Sequence, residues 1–170
     1  MKTIADLHIH SRFSMATSKE GTPENLDFWA RKKGISLIGT GDFTHPVWRE
    51  ELKKRLIAEG NSLYRLRDEY VKEESRKFPG EGTHFVVSGE ISSIYKKNGK
   101  TRKVHNVILL PSLEAADAMA QHLEKIGNIH SDGRPILGLD SHDLLEMMLD
   151  VCPEGILIPA HIWTPHFSVL

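Results

Sequence analysis

Short apolar runs in this chain end repeatedly on a histidine or a carboxylate, and helical signals separate the runs. The run at residues 4–9 ends at the histidines His8 and His10, and the run at 35–39 empties into a loop with Asp42 and His45. Residues 85–89 lead to Glu90, the return run at 103–110 holds His105, and the run at 156–159 leads to His161. Strands of this length alternating with helices predict an α/β fold with a largely parallel sheet. Such sheets present their chemistry at the carboxyl ends of the strands. His8-Ile9-His10 also puts two imidazoles on one face of one strand, which packing alone does not require.

The helical signals are of several kinds. Thr22-Pro23-Glu24 supplies a hydroxyl cap, a proline at the first position and an acid in the first turn; Gly34 closes that helix after Lys33. A charged stretch at 48–77 reads as helix with a break near Gly60-Asn61. Amphipathic patterns predict helices at 113–125 and 141–149, and Asn98-Gly99 is a hairpin turn signal.

Composition narrows the function classes. The 170 residues suffice for one domain with its own core, and a formal net charge of -1 gives no global bias toward nucleic acid or membrane. The single cysteine, Cys152, excludes a disulfide framework or a cysteine-based zinc site within the chain and fits a reducing, cytoplasmic setting. Met1-Lys2 leads straight into the first strand, so no signal peptide is expected, and no apolar run is long enough to span a bilayer. Ten histidines point toward metal chemistry.

The residues at the run ends are hard or borderline ligands. Imidazoles with carboxylates and no thiolates suit Zn, Mn or Fe. Each residue also has a plainer reading. His8 and His10 fit surface histidines flanking a turn, and Glu90 fits a buried salt bridge, although an unpaired buried carboxylate is costly. Asp42 and His45 fit a turn cap before Pro46, and His105 and His161, taken alone, fit satisfied histidines. Ser141-His142-Asp143 is a helix start and not a catalytic triad, because adjacent residues cannot form the relay. His84, His122 and His130 read as surface, and His166 is left open.

Taken in order, His8-Ile9-His10, Thr40-Gly41-Asp42, Ser88-Gly89-Glu90-Ile91, Val104-His105-Asn106 and Pro159-Ala160-His161 resemble the PHP (polymerase and histidinol phosphatase) superfamily. The stretch 38–46 and the hairpin before Val104 resemble its endonuclease Q branch. The resemblance implies a distorted (β/α)7 barrel, of which residues 1–170 would be the N-terminal part, with the family's final Asp-x-His motif outside the chain. It implies a phosphoester hydrolase with two or three divalent ions (Zn, Mn or Fe, with Mg possible for activity) that activate water and need no protein nucleophile. His8 and His10 would bind one ion, Glu90 would bridge to a second, and His105 and His161 would complete that second site. Glu90 and Asp42 would be the catalytic carboxylates. The chain departs from the family pattern at Met15-Ala16, where an acid or histidine is usual, and at Asp42-Phe43, where His45 would have to substitute; both bear on a third ion.

The endonuclease Q branch implies nicking of DNA on the 5′ side of deaminated bases such as uracil and hypoxanthine, with a lesion-containing duplex as partner. Lys96, Lys97, Lys100, Arg102 and Lys103 around the hairpin tip fit a phosphate grip, and equally a solvated edge guarded by lysines. Two alternatives stand beside this reading: a PHP phosphatase on a small phosphoester, and a non-catalytic metal-binding module.

Overall fold

The computed structural model describes residues 3–80 and 82–169; Met1 and Lys2, read above as leading into the first strand, lie outside the described residues. The chain forms β1 (Ala5–Asp6), α1 (Pro23–Lys33), β2 (Leu37–Gly39), α2 (Pro46–Arg55), β3 (Leu56–Gly60) and β4 (Leu63–Leu66). It continues with β5 (His84–Lys97), β6 (Lys100–Leu110), α3 (Leu113–Glu124), β7 (Ile136–Leu137), α4 (Ser141–Val151) and β8 (Ile156–Pro159). Two single 3-10 turns, Asp68–Tyr70 and Ser75–Lys77, bridge β4 and β5.

This is the α/β architecture read from the sequence, with strands and helices around a curled half-barrel sheet. The sheet is mixed where a largely parallel one was expected. β1, β2 and β5 run parallel, as do β5 and β7. The β3–β4, β4–β5, β5–β6 and β6–β8 pairs are antiparallel. The physical reason is the 14-residue length of β5. Its first residues pair with β2 and β4, and from Val87 onward it pairs with β6 through the Asn98-Gly99 turn. Both turn residues have positive φ, 53° and 72°, as a two-residue hairpin of matching twist requires. Glu90 therefore lies inside a continuous strand and not after a strand end.

The stretch 48–77 corrects the reading of a long helix. Helix α2 stops at Arg55, and β3 and β4 form a hairpin. Gly60, Asn61 and Ser62 follow one another at φ 89°, 52° and 62°, which no right-handed helix can traverse. Leu56, Tyr64 and Leu66 turn into the core, so tertiary burial overrides the helix preference of the charged residues between them. Helices α1 and α3 begin as read: Thr22 Oγ1 accepts from the Asn25 N–H, and Ser112 Oγ from the Ala115 N–H. Helix α4 is capped by Asp140, whose carboxylate accepts from the His142 N–H, one residue before the expected Ser141.

The core lies between the sheet and α2, α3 and α4, centred on Phe43, Trp48, Phe85, Ile108, Met119 and Leu144. Trp48 is fully buried, and its indole N–H donates to the carbonyl oxygens of Gly41 at 2.9 Å and Thr40 at 3.3 Å. It thus ties helix α2 to the loop after β2. That loop is forced close to the loop after β1: Gly41 has φ 65°, and a Cβ there would stand 2.6 Å from the Ile9 carbonyl oxygen. Only glycine meets both demands.

Trp48→Ala is expected to lower unfolding stability by about 3–5 kcal/mol, the usual range for emptying a large aromatic from a core. Urea titration followed by circular dichroism would show it as a lower midpoint with an unchanged slope.

Candidate metal centre

The buried side chain at the middle of β5 organises the site. Glu90 is 2% exposed, and four imidazoles converge on it from three other segments. His8 Nε2 lies 3.3 Å and His105 Nδ1 2.8 Å from Oε1, while His10 Nε2 lies 3.1 Å from Oε2. His161 Nε2 stands 3.9 Å from Oε1 and 3.2 Å from His105 Nδ1. The ligand atoms form two groups that share one carboxylate: His8, His10 and Glu90, and Glu90, His105 and His161.

Local structure explains the convergence. His8 and His10 sit in the extended segment just past β1. Their strand is shorter than expected, since its ladder with β2 ends at Asp6. Ser92 of β5 pairs with His105 of β6, so the His105 ring rises from the same sheet face as Glu90, two residues along. His161 follows β8 at φ 33°, a left-handed turn that swings its ring back over the cluster, and its Nδ1 lies 3.1 Å from Thr164 Oγ1.

Asp42 stands behind the cluster and not in it. His10 Nδ1–H donates to Asp42 Oδ1 at 3.0 Å. The other oxygen, Oδ2, accepts from the Ser11 N–H, Ser11 Oγ and Ser14 Oγ at 2.7, 2.6 and 2.9 Å. The carboxylate is fully buried and its lone pairs are engaged. This is the arrangement in which a carboxylate fixes a histidine tautomer, leaving Nε2 to face the centre. Ser11 and Ser14 were missed by sequence reasoning, and their proximity to His10 was the only available signal. His45 is not brought to the cluster. Its ring stacks on Phe13 at 4.2 Å, its buried Nδ1 has no partner, and burial lowers its pKa. Phe43 fills the core beneath Gly89.

The electrostatics follow. Burial raises the pKa of Glu90, but the opposing contacts of His10, His105 and His8 outweigh it and hold the carboxyl well below its usual range. The His10 pKa is raised from 6.5 to about 9, chiefly by Asp42 and then by Glu90, against the lowering effect of burial. Glu90 Oε1 is buried and has no hydrogen-bond partner, although three imidazoles stand within 4 Å of it. An orphaned anionic oxygen inside a ring of imidazole nitrogens is a donor set for divalent ions of the Zn, Mn or Fe type.

The other histidines lie elsewhere. His84 pairs with Glu59, and His130 pairs with Glu124 on the surface. His142, Asp143 and Glu146 share one exposed helix face, while Ser141 Oγ accepts from Asn106, so no triad forms. The hairpin cations divide between two faces. Ile94 pairs with Lys103 and Lys96 with Thr101, which puts Lys96 and Lys103 on the Glu90 face. Lys97, Lys100 and Arg102 take the opposite face, where Lys97 Nζ pairs with Asp140 at 2.7 Å. Arg134, also missed, brings Nη1 to 3.5 Å from Glu90 Oε2. A cavity of about 400 Å³ lies beside the cluster, lined by Met15, Ser92, His105, Arg134, Ile136 and Phe167 among others. Among the described residues, no helix is long and apolar enough to cross a membrane.

Because the folded pKa of His10 lies above its ordinary value, its protonated form contributes stability that is complete below pH 6.5 and lost as the pH rises through about 9. With chelator present, the thermal midpoint is expected to fall across that window. The fall should shrink in Asp42→Asn; an unchanged pH profile in that variant would refute the assignment.

No family model matches the chain. It is 35% identical over 161 residues to an uncharacterized protein of Methanocaldococcus jannaschii, MJ0043, covering 94% of this chain and 16% of that protein. It is similar to the crystal structure of the lesion-specific endonuclease PfuEndoQ from Pyrococcus furiosus, with a TM-score of 0.78 and 29% identity over 98% of this chain and 36% of that one. Endonuclease Q bound to a 27-mer duplex with an abasic lesion at its active site matches with a TM-score of 0.74 and 29% identity, over 96% of this chain and 36% of that one. The chain thus spans well under half the length of these relatives. Its fold is endonuclease Q-like, as the sequence resemblance implied.

Proposed function

We propose that this chain carries the metal centre of a phosphodiesterase that nicks DNA on the 5′ side of deaminated bases, uracil and hypoxanthine among them. The observation that carries this reading is that one buried carboxylate, Glu90, is shared between His8 with His10 and His105 with His161. The likeness to solved endonuclease Q structures supports it. The chain's share of those structures, 36%, goes with reading residues 1–170 as the N-terminal part of a PHP metallohydrolase domain. Its free Cys152 goes with a cytoplasmic location.

In this reading two divalent ions, when bound, supply the Lewis acidity that activates water and neutralises the leaving oxygen. His8, His10 and Glu90 would hold the first, and Glu90 with His105 and His161 would hold the second. Asp42 acts as a positioning residue that keeps His10 Nδ1 protonated and Nε2 directed inward. In this reading Asp42 and His45, which the sequence resemblance ties to a third ion, do not hold one. The Asp42 oxygens are spent on His10, Ser11 and Ser14, and His45 is stacked on Phe13. DNA is held in part by Lys96 and Lys103, the hairpin cations on the cluster's face, and Lys103 lies over the Phe167 ring at 5.6 Å.

The direct assay offers Mn, Mg or Zn with duplexes carrying one uracil, one hypoxanthine or no lesion. A nick 5′ to the altered base, reduced on the order of 100-fold or more in Glu90→Gln, is the expected result. Release of phosphate from small esters without nicking would turn the reading to a phosphatase. Metal binding with neither activity would leave a metal-binding module.

Charge reversal separates the two hairpin faces. Lys96→Glu with Lys103→Glu is expected to weaken duplex cleavage and flatten its salt dependence by about one unit of slope per lost phosphate contact. Lys97→Glu with Arg102→Glu should do less. Equal effects from the two pairs would overturn the face assignment.

A further inference from the structure

Among the described residues, Arg134 alone of the lysines and arginines lies within ion-pair distance of Glu90. Its side chain is 34% exposed, so it faces both the buried carboxylate and the open cavity beside it. The loop that carries it is tied down on both sides. The Asp132 carboxylate accepts from the Arg134 N–H at 2.8 Å and from the Met15 N–H at 3.2 Å. The Gly133 N–H donates to the Phe13 carbonyl at 3.0 Å, and the Gly133 carbonyl accepts from Thr44 Oγ1 at 3.1 Å. The Pro135 carbonyl accepts from the Ser92 N–H at 3.0 Å. Gly133 lies so close to Asp42 that a Cβ there would stand 2.4 Å from Oδ2.

Each of these anchors belongs to a segment that also carries the cluster: the loop after β1, the loop after β2, or β5. The same loops that place His10, Asp42 and Glu90 therefore place the guanidinium. A solvated surface ion pair, worth little by itself, does not need such a frame.

Glu90 cannot serve as the lasting partner of Arg134. Shared between two cations, as the hydrolase reading has it, its charge would already be neutralised. The guanidinium stays charged at every accessible pH. It would then face divalent ions across a few ångströms, an unfavourable placement unless a further anion joins them. Of the other carboxylates nearby, Asp42 is closed off by His10, Ser11 and Ser14, and the two oxygens of Asp132 accept from the Arg134 and Met15 N–H groups.

We infer that Arg134 binds a non-bridging oxygen of the substrate phosphate. This rests on the hydrolase reading and adds a phosphate anchor to it. The planar fork of donors suits a phosphate. The 400 Å³ cavity, which Arg134 shares with Ser92, His105 and Phe167, leaves room for a group attached to that phosphate.

The test uses the chain loaded with Mn²⁺, in wild type, Arg134→Ala, Arg134→Gln and Arg134→Lys. Calorimetry measures the Kd for Mn²⁺ and then the Kd for inorganic phosphate on the loaded protein. Arg134→Ala and Arg134→Gln should bind Mn²⁺ as tightly as wild type or tighter, because a neighbouring cation has been removed. Their phosphate affinity should fall about 10- to 100-fold, with Arg134→Lys between. Unchanged phosphate affinity in both neutral variants would overturn the anchor, as would loss of Mn²⁺ from both. A wild-type chain that binds Mn²⁺ but no phosphate defeats the anchor alone. A wild-type chain that binds no Mn²⁺ defeats the metal centre and the anchor with it.

Discussion

The structure depends on one buried negative charge. Glu90 sits at the middle of a strand that crosses the whole sheet, with 2% of its surface exposed. A carboxylate removed from water needs compensating positive charge or hydrogen bonds. Four imidazoles and one guanidinium gather around it, and they come from sites as far apart in sequence as His8 and His161. Bringing them together requires the segments after β1 and β8, the middle of β6 and the loop before β7 to meet within a few ångströms of one carboxylate. The curl of the sheet accomplishes this. β5 pairs with β2 and β4 near its start and with β6 and β7 further along, so it is the one strand common to both halves.

Around this charge lies a second layer of buried, hydrogen-bonded groups. Asp42 is saturated by His10 and two serines, and Trp48 bonds the carbonyls just before it. Gly41 and Gly133 let the loops after β1 and β2 and the Arg134 loop approach one another at backbone distance. Side chains held on both sides lose little entropy when a ligand arrives, which is how a site is made ready for binding. The exposed hairpin tip is built differently. Its lysines stand in solvent, and the strand register alone decides which of them look toward the cluster.

Much of the fold was legible because local chemistry and tertiary structure agree. Thr22-Pro23, Gly34 and Asn98-Gly99 act through their own φ, ψ and hydrogen bonds, so their sequence meaning survives in the fold. The stretch 48–77 was not legible, because its charged residues favour helix while Leu56, Tyr64 and Leu66 are claimed by the core. His8, His10 and His161 could be read from their place at the ends of apolar runs, and His105 from its place inside one. His45 stood in the same kind of place and yet stacks on Phe13. Nothing in its neighbours distinguishes it. Arg134 lies in a short turn 44 residues beyond Glu90 in number, and its meaning exists only through contacts with segments remote in sequence.

The sequence by itself determined the ligand chemistry. Imidazole and carboxylate without thiolate, set on or just after apolar runs, already limit the donor atoms that the α/β fold can bring together. Tertiary structure alone decided how those ligands are shared. It made Glu90 common to two imidazole pairs, put Asp42 behind His10 instead of beside it, left His45 out, and brought Arg134 in. The reason is physical. Residue type sets what an atom can bind, but which lone pairs remain free depends on what folding has already placed against them.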